Sequence, residues 1–275
     1  MTIQKVIDRI IAFHPDLGEK LATTCDVLKY GDPTQECTGI ATAIYASPKV
    51  IRKAHEAGCN FLLVHEPAFY SHMDEQDWLQ NNTVANAKKK LLDEYNMVIF
   101  RDHDRIHAHK PDGIFFGMTT ELGWQAYTDF NWMEEKDFGG INWTYTLPPT
   151  PVRDIAKLFI EKLHLNNVRI IGNPETIVRT IALGAHLFPG NTKFIQAFDE
   201  GGYDLLIPGE YCDWEVAEYF KDAGDMGMNK ALLQLGHFNW EELGMKHAVT
   251  WLSRLVDYQL PVVYCCNEDM YYYAI

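Results

Sequence analysis

No two of the six cysteines (Cys25, Cys37, Cys59, Cys212, Cys265, Cys266) stand in a CxxC spacing, so a thiolate zinc site and a thioredoxin-like redox pair both lack their usual signature. A chain of 275 residues can bury a core without covalent staples. Its thiols therefore read as buried side chains in a reducing compartment, and a cytoplasmic location is expected. No apolar stretch approaches the about 20 residues of a membrane span. The first apolar positions, Ile3, Val6, Ile7, Ile10 and Ile11, have the spacing of an amphipathic helix rather than the plan of a signal peptide. Positive charge is scarce: 24 Lys and Arg stand against 38 Asp and Glu, a formal net charge of -14. The clearest basic run, Lys88-Lys89-Lys90, reads as the solvated face of a helix, which argues against nucleic acid as a partner. There is no Walker-type phosphate loop, Gly31-Asp32-Pro33 being only a turn, and no low-complexity segment or strong internal repeat.

What is present is 47% hydrophobic and 23% charged, a globular composition. The clearest unit spans Gly39 to His65. Ile40–Ala46 reads as a strand. Ser47-Pro48 supplies a helix N-cap and a first-turn proline. Val50, Ile51 and Ala54 give the helix a buried stripe, Gly58 ends it, and Phe61–Val64 is a short strand of the fully buried type. Strand, helix, strand implies a right-handed crossover and a parallel pair. The pattern recurs in a helix over 84–95 before the strand 97–100, and in the strand 231–235, the helix 240–256 and the strand 261–265. The middle is punctuated by Gly139-Gly140 and by Pro148, Pro149 and Pro151. There Thr150-Pro151 resembles another cap and first-turn proline, opening a helix through Leu163. Strands over 168–171 and 181–183, a helix over 193–200 and a strand over 203–207 come next. The expected fold is α/β in two parts, with mixed or parallel sheets flanked by helices. Residues 1–127 with 231–275 would form one discontinuous domain, and 128–230 the second.

Three strands end in segments that carry metal-binding side chains. Val64 is followed by His65-Glu66-Pro67, and Phe100 by a segment containing Asp102, His103, Asp104, His107 and His109. Leu235 is followed by Gly236-His237, with Glu241 one helical turn later. Ligands collect outside the carboxyl ends of strands in an open α/β sheet, so three such segments can meet. Imidazole and carboxylate together favour zinc, manganese, iron, cobalt or nickel over calcium or magnesium. His103 and His107 share the four-residue spacing of His237 and Glu241, although the intervening residues leave a helix there open. His14, His55, His164, His186 and His247 read as surface or core residues, and His72 as a minor candidate. Glu210, which also comes after a strand, reads as a base, as an orienter of a ligand, or as a solvated turn carboxylate.

At these residues the sequence resembles a known family. The resemblance rests on Leu28-Lys29-Tyr30-Gly31-Asp32-Pro33, Ala46-Ser47-Pro48-Lys49-Val50-Ile51, Val64-His65-Glu66-Pro67, His103 to His107, Gly201-Gly202-Tyr203-Asp204 through Ile207-Pro208-Gly209-Glu210, and Gly236-His237 with Glu241. In this order the motifs are similar to those of the Nif-three-like proteins (NGG-one interacting factor three), also known as GTP cyclohydrolase I type 2 homologues. Two positions depart from the family pattern. Glu66 stands where the second histidine of a His-His-Pro motif is expected, and His107 where an aspartate ends a His-x-x-x-Asp motif. Family members hold two metals with three histidines and two carboxylates. His65, Glu66, His107, His237 and Glu241 keep that count, with His103 or Asp104 as possible substitutes for His107.

The resemblance implies two divalent ions in a metal cleft and a ring-like homo-oligomer, commonly a hexamer. It also implies a metal-dependent hydrolase acting on a nucleotide-like or other small-molecule substrate through a metal-bridged hydroxide. A second class fits the same residues: a metal-binding, metal-delivery or interaction protein without turnover. An exchangeable coordination position and a substrate pocket separate the two.

Overall fold

A computed structural model describes residues 1–134, 140–190 and 192–274; Gly139 of the glycine pair lies outside them. In chain order the elements are α1 (Ile3–Phe13), β1 (Leu28–Tyr30), β2 (Ile40–Ala43), α2 (Pro48–Glu56), β3 (Phe61–Val64), α3 (Thr83–Glu94), β4 (Val98–Arg101), α4 (Asp104–Ala108) and α5 (Gly113–Leu122). They continue with β5 (Ile141–Pro151), α6 (Val152–Leu163), β6 (Arg169–Ile171), β7 (Ile177–Leu187), α7 (Thr192–Glu200), β8 (Leu205–Tyr211), α8 (Val216–Asp225), β9 (Ala231–Gln234), α9 (His237–Leu255) and β10 (Val262–Tyr264). The chain forms two compact units. One comprises Met1–Met118 with Glu241–Asn267, the other Thr119–Trp240 with Glu268–Ile275.

The first unit holds a five-stranded sheet in the order β1-β4-β3-β2-β10. The β10, β2, β3 and β4 strands are parallel and only the edge strand β1 is antiparallel. The expected β2–α2–β3 crossover is present: Ser47 Oγ accepts from the Val50 amide at 3.2 Å, Pro48 opens the helix, and Val50, Ile51 and Ala54 are fully buried. Every residue of β2, β3 and β4 is buried, which is why β3 and the first three residues of β4 read as unbroken apolar runs rather than alternating ones. Helix α1 buries Ile3, Val6, Ile7 and Ile10, while Ile11 turns outward.

The second unit holds a mixed sheet in the order β5-β7-β8-β9-β6. The three central strands are parallel and both edges antiparallel. Two expectations change here. Strand β9 pairs with β8 and β6, so residues 231–240 belong to the second unit and the chain returns to the first at Glu241. Thr150 and Pro151 finish β5, opposite Val178 and Ile177. Pro151 itself stands at the N-cap of α6, with no side-chain capping bond, and Thr150 Oγ1 donates to the Pro148 carbonyl at 2.7 Å instead. Proline is tolerated there because β5 is an edge strand. Among the described residues, no helix is long and apolar enough to cross a membrane.

Candidate metal centre

In the first unit, Ala43, Val64 and Arg101 stand side by side at the ends of β2, β3 and β4. Parallel strands lead their C-terminal segments out at one end of the sheet. Here those segments carry His65 and Glu66 after β3, and Asp102 and His103 after β4. The turn after β3 is tight, the amides of His65 and Glu66 both donating to the Ile44 carbonyl, at 3.1 and 2.7 Å. The Asp102 amide donates to the Val64 carbonyl at 2.9 Å, which keeps the two segments abreast.

His107 comes from α4, whose five residues are too few to be helical by themselves. Asp26, far earlier in the chain, holds it in place. One carboxylate oxygen accepts from the amides of His103 and Asp104, at 2.8 and 2.9 Å, and the other from Arg105 at 2.7 Å. These are among the donors a helix start leaves without partners. Burial, and secondarily the Asp102 carboxylate, push the Asp26 carboxyl up from its ordinary value; the three amides and the Arg105 guanidinium, 3.4 Å away, act against that.

Glu241 enters on α9. A Cβ on Gly244, one turn later, would lie 2.6 Å from the Ile114 Cα. Only glycine lets α9 lie this close to α5, and the contact fixes how deep Glu241 sits. The carboxylate is buried, with one oxygen 3.4 Å from His65 Nε2 and the other 3.9 Å from His107 Nε2. Two overlapping sets result, His65 with Glu66 and Glu241, and His65 with His103 and His107. Within each set the ligating atoms lie within 4.8 Å of one another. His65 is fully buried, and Glu66 and Glu241 nearly so.

The three imidazoles share one arrangement. His65 Nδ1 is 3.0 Å from the Asp102 carbonyl, His103 Nδ1 is 2.9 Å from Asp104 Oδ1, and His107 Nδ1 is 2.8 Å from Asp112 Oδ2. Carbonyl and carboxylate oxygens accept, so each Nδ1 carries a proton, and the neutral form of each ring has its lone pair on Nε2. That is the arrangement in which ligating histidines are usually held. Burial, with the neighbouring His65, lowers the His103 pKa to about 4, so this ring is neutral at pH 7. Burial opposes charge on His107 too, but the Asp112 carboxylate and then Glu241 override it and raise its pKa to about 9. The His103 hydrogen bond, more than the one from Thr24, holds the Asp104 carboxyl well below the usual carboxylate range. Most telling is His65 Nε2, which is buried and makes no hydrogen bond. Leaving such an atom so costs about 1–3 kcal/mol, and a cation on its lone pair would remove the penalty. With two carboxylates beside it, the donor set fits a divalent ion of the zinc-to-manganese group.

His237 lies in the second unit with His186 and with Glu210, the carboxylate for which the sequence left base, orienter and turn residue open. His186 and Glu210 are register partners on β7 and β8, and His237 is the first residue of α9. The Nδ1 atoms of both histidines donate to Glu210, one to each oxygen, and the rings stack at 5.1 Å. Burial alone would raise the Glu210 carboxyl. The two imidazoles reverse this and bring it down to about 2. Four of the five metal candidates, His65, Glu66, His107 and Glu241, thus come together within the first unit, joined by His103. His103 stands beside His107 rather than in its place, while Asp104 turns to His103, Thr24 and the Cys25 amide. His186 was not singled out by the sequence. It is one polar residue on a long strand, and only its register with Glu210 marks it.

The fold and these clusters define an α/β protein of two mixed sheets whose buried His and Glu groups are suited to metal ions. Residues 1–269 match the DUF34/NIF3 family (NGG1p interacting factor 3), and the chain belongs to that family. It is similar to the GTP cyclohydrolase 1 type 2 homolog of Clostridium perfringens, at 24% identity over 218 residues that cover 78% of this chain and 77% of the relative. A second such homolog, of Chlamydia pneumoniae, is 29% identical over 112 residues, 41% of this chain and 40% of the relative. Its fold is shared by the Bacillus cereus protein related to NIF3, with a TM-score of 0.72 at 12% identity over 100% of this chain and 99% of the other.

Proposed function

We propose that this chain binds two divalent metal ions through His65, Glu66, His107 and Glu241 together with His103, and that it is a metal-dependent hydrolase of a nucleotide-like or other small molecule. The observation that carries the reading is the common anchoring of three histidines through Nδ1, with the buried Nε2 of His65 making no hydrogen bond. The Glu241 carboxylate, with one oxygen towards His65 Nε2 and the other towards His107 Nε2, suits a pair of ions rather than one, since a carboxylate can serve two ions where a single imidazole lone pair serves one. The name of the Clostridium perfringens relative supports a hydrolytic role on a nucleotide.

Bound there, divalent ions would supply Lewis acidity and lower the pKa of water towards neutrality. The protein supplies orientation. Asp102, Asp104 and Asp112 fix the tautomer and tilt of the three rings, and Glu241 faces two of them at once. Glu210 acts on His237 in the same manner: it takes the Nδ1 proton in a hydrogen bond and leaves the lone pair on Nε2. It is a positioning residue in this reading rather than a free base. By the family resemblance we also assign a ring-like homo-oligomer, and by its free cysteines, five of the six buried, a cytoplasmic location.

Metal analysis of the purified protein, followed by a screen of nucleotides and phosphoesters with manganese or zinc, tests both parts. Two ions per chain, reduced in His65→Ala and Glu241→Ala, are expected, with turnover of at least one substrate. Absence of bound metal would overturn the reading. Full metal loading without turnover of any substrate would favour the second class, a metal-binding or metal-delivery protein. The metal count of His237→Ala decides whether that residue is also a ligand.

A further inference from the structure

Arg101 is the last residue of β4 and its side chain is fully buried. Such a guanidinium needs a counter-charge and partners for its donors. It finds them in the segment that carries two of the proposed ligands. Arg101 Nε donates to the His65 carbonyl at 2.8 Å, one terminal nitrogen donates to the His72 carbonyl, and the other lies 3.5 Å from Glu66 Oε2. Asp74 stands 3.9 Å away and is shared with Lys29 at 3.2 Å. The loop from His65 to Asp74 is therefore wrapped around one cation. That cation faces Glu66, one of the proposed ligands.

We infer that Arg101 is the positioning residue for Glu66, and that it makes this metal site specific for a carboxylate at position 66; the inference rests on the metal-centre reading above. A planar guanidinium beside one oxygen of Glu66 fixes the carboxylate's direction and directs its other oxygen to the metal side. It acts oppositely on an imidazole. A histidine at 66 that accepted from Arg101 through one ring nitrogen would carry its proton on the other, and so would have no lone pair for a metal. Glutamate with Arg101 and histidine without it are thus the two workable combinations.

The test is a double-mutant cycle on zinc and manganese affinity, measured by calorimetric titration of the full chain, with Glu66→His, Arg101→Met and the two combined. Each single variant is expected to bind about 10–100-fold more weakly, the usual effect of disturbing what orients a ligand. The combined variant is expected to regain at least about tenfold over Glu66→His alone. A merely structural arginine gives a different result: the losses add, and the combined variant is the weakest. Equal affinity of Arg101→Met and the parent would also overturn the inference. Arg101→Gln, which removes the charge and can donate to the backbone carbonyls while its oxygen accepts from a ring N–H, replaces Arg101→Met in the cycle if the latter does not fold. Failure of the metal-centre reading itself looks different: the parent protein binds neither ion.

Discussion

Asp112 makes the metal centre open to a perturbation with two opposed signatures. One of its oxygens accepts from the amides of Ile114 and Phe115, at 2.9 and 3.0 Å, and caps α5, while the other holds His107 Nδ1 at 2.8 Å. Asp112→Asn keeps an oxygen for the cap but can turn its amide N–H towards His107. The imidazole proton then moves to Nε2, the nitrogen meant for the metal. Affinity for zinc or manganese should fall about 10–100-fold, or roughly 1.4–2.7 kcal/mol. The metal-free protein reports the same contact through pH. The His107 pKa is raised from an ordinary 6.5 to about 9, and at about 1.4 kcal/mol per pH unit that gap corresponds to at most roughly 3–4 kcal/mol. Because the folded value is the higher one, the stabilisation is complete below pH 6.5 and is lost as pH rises through 9. Metal binding has the reverse sign, since the ion displaces the Nε2 proton and affinity should climb over the same range. Denaturant unfolding of the demetallated protein at pH 6.5 and 9.5, beside titrations at the same pH values, reads both. Asp112→Asn should flatten both dependences. Equal pH dependence in parent and variant would refute the assignment of His107 to Asp112.

Gly244→Ala places a Cβ 2.6 Å from the Ile114 Cα; it should cost about 1–3 kcal/mol in thermal or denaturant unfolding and also weaken metal binding, because α9 carries Glu241. Ser47→Ala removes the cap of α2 and should cost about 1 kcal/mol with the metal content unchanged. Asp26→Asn should lower metal affinity without replacing any ligand, since its carboxylate assembles α4; an unchanged affinity would show that α4 forms without it. Chelation should lower the melting temperature of the metal-loaded parent, because an ion that binds only the folded state stabilises it, and should leave His65→Ala unmoved.

The legible parts of the sequence were those whose causes are local. Ser47-Pro48 and the stripe of Val50, Ile51 and Ala54 define α2 within ten residues, and the apolar runs of β3 and β4 announce strands covered on both faces. The strand-end positions of His65, Glu66 and His103 derive from those runs alone. Where the cause is distant the sequence is silent. The helix α4 exists because Asp26 caps it across 77 residues of separation to His103. Strand β5 runs through Pro148, Pro149 and Pro151, residues that locally argue against a strand, because it lies at the edge of its sheet. Strand β9 has the composition of any buried strand, and only its pairing partners place it in the second unit. His186 depends in the same way on the register of β7 with β8.

The metal centre stands or falls with His65 Nε2 and the carboxylates beside it facing a cation. Crystals grown with zinc or manganese, with anomalous scattering recorded at the metal's absorption edge, test this most directly. Two peaks are expected in the first unit, one of them about 2.0–2.2 Å from both His65 Nε2 and an oxygen of Glu241. A fully loaded crystal with no peak within coordinating distance of either atom would contradict it.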